Sequence, residues 1–286
     1  MTNTSKPIST KSRQFTRFVS MHSQLSFDLP SSSLLHISFL FGRKEVAYDT
    51  RHTILLWGKT DNNNTSIQAT CLTSRPSTMA TQINIPGVPQ LKWLDATGDA
   101  EFDEKSKSIT IKTTAETDWF NPPPDPSSPA ALANAPALVF QAPSGDWQLS
   151  AKVTVNHKYL FDAGTIFIHQ GKNDWCKLCF EYSPEEVPVV VSVVTRDISD
   201  DANGPAITSG NSVYLRVSKY SSVIAFHYSL DAGKYWTLHR AFSMRDMKAP
   251  MSVGFLAQAP VGDSCTAMFS EVQFQETTLV DLRDGS

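Results

Sequence analysis

From Ile109 to Phe274 the chain is a succession of short runs rich in Val, Ile, Phe, Tyr and Trp, separated by turn residues, and no helical period competes over most of this length. Apolar residues recurring at every second position in bounded runs of this kind indicate strands of a sandwich or barrel. The pattern predicts strands at 109–114, 147–155, 164–170, 175–182, 189–195, 213–218, 224–230, 236–241, 252–258 and 267–274. The Pro-rich stretch 121–136 reads as a long surface loop or lid, because each proline lacks the N–H that a central strand donates to its neighbour.

Alternation also sorts the side chains by face. Cys176, Leu178 and Phe180 point one way, Lys177 and Glu181 the other; Ile166 and Ile168 oppose Thr165, Phe167 and His169. Val213, Leu215 and Val217 oppose Tyr214, Arg216 and Ser218, while Phe226 and Tyr228 oppose Ala225, His227 and Ser229. If these strands are neighbours, Lys177, Glu181, Arg216 and His227 share one polar sheet face with Phe167 and Tyr214, and Ser192, flanked by valines, joins them. Trp119, from the long loop, is expected to reach the same face. A sugar ring presents hydroxyls at its rim and C–H groups on its faces, so planar hydrogen-bonding groups beside aromatic rings suit it. These eight residues are therefore the candidate ligand-binding set, with a carbohydrate or related polyhydroxylated molecule as the expected ligand. Trp93, Trp147 and Trp236 read as core or rim packing.

Several strings occur in an order that resembles a known family. They are Thr117-Asp118-Trp119, Phe161-Asp162-Ala163-Gly164, Trp175-Cys176-Lys177, Glu181, Ser192 to Thr195, Arg216-Val217, Tyr228 to Asp231 through Trp236, and Gly254-Phe255 before Ala259-Pro260. Between about Leu91 and Thr277 the chain is similar to the fungal "regulation of enolase" proteins and their bacterial relatives. The resemblance implies an all-β, concanavalin A-like jelly roll of two antiparallel sheets, one of them concave, and a regulatory role exercised through a protein partner as an alternative to sugar binding. An apolar patch for such a partner is expected on the Pro-rich loop, with Leu132 and Leu138. The turn Ser229 to Gly233 carries Ala232 where relatives place Asp-Gly directly, which is expected to lengthen the turn without touching the sheet face.

Other chemistries fit the residues less well. Cys176-Lys177-Leu178-Cys179 has the C-x-x-C spacing of zinc and dithiol sites, but within a strand positions i and i+3 face opposite sides, so the sulfurs diverge. Glycoside hydrolysis needs two carboxyl groups across the scissile bond. Glucanases of the resembled fold carry an E-x-D-x-E strand that this sequence lacks: Glu101-Phe102-Asp103-Glu104 has the wrong spacing, and Glu181 is a lone face carboxylate, with Asp118 and Asp162 at strand ends. Asp197, Asp200, Asp201 and Asn203 offer the oxygen ligands calcium prefers but read as a solvated loop. No cofactor-binding motif is present, and the expected protein is a non-catalytic binding module, with a glycoside hydrolase-like enzyme as a further alternative.

Charge and composition change the picture at the N-terminal side. Residues 1–78 are rich in Ser and Thr, include the run Asn62-Asn63-Asn64, and sustain no period. They carry nine Lys/Arg against four Asp/Glu, leaving 16 against 24 of the totals of 25 and 28 for the remainder. The acidic remainder has no basic stripe, so a nucleic-acid partner is not expected. No apolar run approaches the ~18 residues of a bilayer span, and the first 25 residues lack a secretory signal, so no membrane partner is expected either. Four cysteines, Cys71, Cys176, Cys179 and Cys265, fit free thiols in a cytoplasmic protein, where the glycosylation patterns at Asn3, Asn63 and Asn64 would be idle. The expected organisation is a disordered extension over 1–78 and a β-sandwich domain over 79–286. Because Met79 opens the second segment, the native product is expected to start there. Intact mass of the endogenous protein checks this, and a mass that includes residues 1–78 is the contrary result.

Overall fold

A computed structural model describes residues 82–286; the expected extension, its boundary at Met79 and Cys71 lie outside them. In chain order the strands are β1 (Gln82–Ile83), β2 (Leu91–Trp93), β3 (Asp99–Asp103), β4 (Ser108–Thr114), β5 (Trp119–Phe120) and β6 (Leu132–Ala133). There follow β7 (Ala137–Gln141), β8 (Trp147–Val155), β9 (Ala163–Gly171), β10 (Asp174–Tyr182), β11 (Pro188–Arg196) and β12 (Ile198–Ala206). The series closes with β13 (Ser212–Tyr220), β14 (Val223–Ser229), β15 (Thr237–Phe242), β16 (Ser252–Gln258) and β17 (Ser264–Gln275). No helix occurs among the described residues.

The strands form two large antiparallel sheets. One has eight strands in the order β1-β2-β7-β16-β9-β10-β11-β12, the other seven in the order β15-β14-β13-β8-β17-β4-β3. The chain crosses repeatedly from one to the other, as in the expected concanavalin A-like jelly roll. Each strand turns alternate residues into the space between the sheets. In β8 these are Trp147, Leu149, Ala151, Val153 and Val155, all buried, with Gln148, Ser150, Lys152 and Thr154 between them. Ile166, Ile168, Cys176, Leu178 and Phe180 meet them from the opposite sheet, and Leu215, Val217, Phe226, Phe255 and Phe269 complete a continuous apolar core. Leu138 belongs to this core and is fully buried, so the apolar partner patch expected of it with Leu132 does not exist.

The strands before β4, the strands β5 to β7 and the strand β12 were not predicted, and β12 is the longest of them. Its residues 198–206 read as a polar loop, yet they pair with β11 from Ser199↔Thr195 to Ala206↔Val189. Sheet edges need only backbone pairing on one side, so Ser, Asp, Asn and Gly serve there. The edge is fastened across the open side of the sandwich: Arg240 on β15 pairs with Asp200, and Arg245 with Asp197. Two of the four residues considered as calcium ligands are thereby engaged by arginines.

Close approach of β7 to β16 depends on Gly254. A Cβ there would lie 2.1 Å from the Leu138 carbonyl oxygen and 2.7 Å from the Val139 Cα, both backbone atoms that cannot rotate away. Gly254→Ala is expected to lower unfolding free energy by about 2–3 kcal/mol, the cost of overfilling a packed interior, measured as a shift in urea midpoint at unchanged slope.

Candidate functional site

The eight predicted site residues do not share one face. Alternation fixed the side of each strand correctly but not the sheet to which the strand belongs: β9 and β10 lie in the eight-stranded sheet, β13 and β14 in the seven-stranded one. Phe167, Lys177, Glu181 and Trp119 are therefore on the outer face of one sheet, and Tyr214, Arg216 and His227 on the outer face of the other, with the core between the two sets. Ser192 joins neither. It pairs in register with Leu178 and has the parity of the core residues Val190 and Val194, so it faces inward, where its hydroxyl meets His239 Nε2 at 2.9 Å. Valines on both parities of β11 hid this.

On the eight-stranded sheet the outer face is roofed. The β5–β6 loop lays Trp119 across it, the indole Nε1 donating to the Ala135 carbonyl at 2.8 Å and the ring packing 4.8 Å from Phe167 and 5.5 Å from Trp175. Beneath this roof Lys177, only 1% exposed, donates to Asp118 Oδ1 and to Gln258 Oε1, each at 2.8 Å. Gln258 passes the chain on, donating to the Phe161 carbonyl at 3.1 Å and to Glu181 Oε2 at 3.4 Å. Burial by itself would strip the proton from Lys177, but Asp118, with help from Cys179 and Glu181, outweighs it and the ammonium is held above the usual lysine range. Glu181 is pushed the opposite way for a carboxylate: burial raises it to about 8, against the pull of Lys177 and with Asp118 and Asp201 adding to the rise. The buried cation ties the roof to β10 and β16, and breaking such a pair on one side costs ~3–5 kcal/mol. Cys176 lies in the core and Cys179 on the outer side, as the strand parity required, and burial lifts the Cys179 thiol to about 12.

On the seven-stranded sheet the outer face holds an open hollow of about 130 Å³. Its floor is polar and planar: Gln148 and Ser150 from β8, Arg216 from β13, and Gln273 and Gln275 from β17. Between Ser270 and Gln273 the β17 register slips against β8, two residues standing opposite one. At this bulge Glu271 takes a left-handed backbone (φ 51°) that sends its carboxylate into the wall, where it accepts from the Tyr214 hydroxyl at 2.8 Å. Opposite, the Arg216 guanidinium lies over the Trp236 ring at 4.2 Å, an attraction between cation and ring quadrupole. Burial draws Arg216 down to about 10, which leaves it charged at neutral pH.

The β14–β15 turn builds the remaining wall. Ser229 donates to Asp231 at 2.7 Å and accepts from the Gly233 N–H at 3.0 Å, while Asp231 accepts from the Tyr235 N–H at 3.0 Å. Ala232 and Gly233 both adopt positive φ, 63° and 78°, and both line the hollow. The expectation that this turn leaves the sheet face untouched is thus corrected, as is the assignment of Trp236 to packing alone. Leu230 and Tyr235, on either side of Ala232 and Gly233 in the same turn, stand exposed, 66% and 79% respectively. Sequence reasoning missed Gln148, Ser150, Gln273 and Gln275, although the first two alternate with buried residues of β8 and the last two with the half-buried Val272 and Phe274 of β17, and that parity was the available signal.

Residues 93–277 match a family described as "Protein of unknown function (DUF1349)", and the chain belongs to that family. No curated protein sequence matched the chain. Among solved structures the fold is similar to a functionally unknown protein from Saccharomyces cerevisiae, at 22% identity and a TM-score of 0.57, over 65% of this chain and 95% of that one. It is also similar to part of a xylan β-1,4-xylosidase from Bacillus halodurans C-125, at 13% identity and a TM-score of 0.51, over 68% of this chain and 38% of the enzyme. A xyloglucan-locus GH43B protein from Bacteroides ovatus gives 15% and 0.51, over 65% and 36%. The chain thus spans little more than a third of either of these last two, and at such identities the likeness is one of fold.

The raised Glu181 carboxyl gives a signed pH dependence. Its folded value of about 8 stands above the ordinary 4.5, so the folded state holds a proton that the unfolded state has released. Its contribution is complete below about pH 4.5 and is lost as pH rises through 8. The histidines that burial draws below their ordinary 6.5, His157 and His227 to about 4 and His169 and His239 in the same direction, act with the opposite sign, but above about pH 7.5 they are almost wholly neutral in both states and drop out. Between about pH 7.5 and 8 the unfolding free energy is expected to fall, by at most ~1.4 kcal/mol per pH unit, and Glu181→Gln is expected to flatten that slope in urea titrations.

Proposed function

We propose that this member of the DUF1349 family is a non-catalytic module that binds a carbohydrate, or a related polyhydroxylated ligand, in the hollow on the outer face of the seven-stranded sheet. The observation that carries the reading is the convergence there of planar amide and guanidinium groups with Trp236 and Tyr214 at a single open site. Amides and hydroxyls both donate and accept, as sugar hydroxyls do, and the aromatic rings offer an apolar surface to the sugar C–H groups. At about 130 Å³ the hollow is well below the ~300–1,000 Å³ that encloses a drug-sized ligand. It suits one sugar unit of a longer chain, held from one side.

The resemblance to the "regulation of enolase" proteins directs the reading toward a cytoplasmic regulatory role in carbohydrate metabolism, exercised by residues 79–286 as an independent domain. A second reading, docking of a protein partner, rests on the exposed Tyr235 and Leu230 of the turn that walls the same hollow. Lys177 and Glu181 belong to neither reading, because the opposite sheet carries them and Lys177 is buried against Asp118 and Gln258.

The test is a glycan array and thermal-shift screen of the full chain that includes xylan and xyloglucan oligosaccharides, the sugars named for two proteins of similar fold. A ligand is expected whose binding falls at least tenfold in Trp236→Ala and Gln273→Ala and is unchanged in Glu181→Gln. Binding lost in Glu181→Gln and kept in Trp236→Ala would move the site to the other face. A blank screen with folded protein would turn the reading to a protein partner at Tyr235 and Leu230.

A further inference from the structure

The outer face of the seven-stranded sheet continues past the hollow, and there it is covered by the chain itself. After β17 the segment 279–286 closes on itself, with the Val280 N–H donating to the Ser286 carbonyl and the Gly285 N–H to the Asp281 carbonyl. It then lies against two neighbouring strands. Arg216 Nη2 donates to the Gly285 carbonyl, and His227 Nε2 meets the Leu282 carbonyl at 3.0 Å. Arg216 and His227 are direct cross-strand partners, so the segment sits over the point where β13 and β14 present their polar face.

This cover matches its bed poorly. Arg216 Nε, Ser218 Oγ and His227 Nδ1 are all buried with no hydrogen-bond partner among the described residues, although buried polar groups in folded proteins are nearly always satisfied. Ser218 is two residues along β13 from Arg216 and on the same face, so the three lie within roughly 7 Å of one another along and across the strands. Their characters differ. Arg216 Nε–H can only donate and the serine hydroxyl can do both. Burial holds His227 neutral at pH 7, drawn down to about 4; since Nε2 faces a carbonyl and must carry the proton, Nδ1 can only accept. A phosphate or carboxylate, having acceptors only, would leave His227 Nδ1 unsatisfied. Hydroxyl groups satisfy all three.

We infer that Arg216, Ser218 and His227 form a second sugar subsite continuous with the hollow, and that segment 279–286 occupies it in place of a ligand. The inference rests on the carbohydrate reading of the hollow and adds its regulation: the segment must leave for a longer saccharide to bind, so full occupancy of the face is gated by residues 279–286 of the same chain. Gly285 makes the seat possible. Its φ is +69°, and a Cβ there would crowd Arg216 Nη2 and stand 3.0 Å from the Trp236 Cβ and 3.1 Å from His227 Cδ2, so alanine at this position strains the backbone, pushes the guanidinium off the Gly285 carbonyl and loosens the segment without shortening the chain.

Calorimetric titration with xylotetraose and cellotetraose, on the full chain, on a chain lacking residues 279–286 and on the Gly285→Ala full chain, tests this. Both variants are expected to bind the better probe about tenfold more tightly than the full chain. A synthetic peptide of residues 277–286 is expected to reverse the gain in the shortened chain, and Ser218→Ala to remove it. Equal, measurable affinity in all three chains overturns the gate and leaves the hollow standing. A gain that survives Ser218→Ala overturns the subsite. Absence of binding by three folded chains overturns both readings. If the shortened chain unfolds while Gly285→Ala folds and binds no better than the full chain, the segment is a structural strap and the inference fails.

Discussion

Two stacked sheets can fill the space between them only with one set of alternate side chains, and this obliges the other set to face outward. The fit is close: a Cβ on Gly164 would come within 2.8–2.9 Å of Val153, Val155 and Ala267 from the opposing sheet. An interior this tightly filled and this apolar leaves little room for chemistry. Polar groups that enter it do so at the border, as Ser192 does where His239 reaches over from β15. Apart from the thiols of Cys176 and Cys265, which pack as small apolar groups, the site residues considered above otherwise lie on the domain's two outer surfaces.

Those surfaces have opposite characters. One is closed by a loop whose tryptophan packs on aromatic residues and whose aspartate clamps a buried ammonium; there Lys177, Asp118 and Gln258 answer one another and hold the loop down, with Trp175 Nε1 left unmatched beside them. The other keeps a hollow lined by uncommitted amides and is overlain beside it by a segment that satisfies only part of what it covers. A linked network such as that of Lys177 is finished as structure, whereas a cluster of unmatched donors and acceptors side by side, as at Arg216, Ser218 and His227, is complete only with something else present.

Much of the fold was legible because β8, β10, β13 and β16 each carry an unbroken two-residue period, and their predicted limits differ from the observed ones by at most two residues. β12 was illegible for the reason that edge strands generally are: with one neighbour and a solvated flank, it needs no apolar side chains. The site was half legible. The outward parity of Lys177, Arg216 and His227 follows from their own strands, but assignment of a strand to a sheet depends on pairing partners far away in sequence, and β8 lies between β13 and β17 through contacts that no local period encodes. Trp236 escaped for a related reason, since the turn that aims it is set by hydrogen bonds among Ser229, Asp231 and Tyr235 rather than by a repeating pattern.

The bulge in β17 has an evolutionary side. Two residues stand there opposite one of β8, and the extra residue is absorbed locally, so that Val272 and Phe274 still pack on the core and Gln273 and Gln275 still form the floor. A strand that already tolerates one surplus residue at this point can lose it and close into a regular ladder without reversing either face. Single-residue insertions and deletions, ruinous elsewhere in a two-sided strand, are here nearly neutral for folding yet replace or remove the one acidic wall of the hollow. Descendants of this domain could thereby change ligand preference through length variation at a single position while inheriting the rest of the sheet intact.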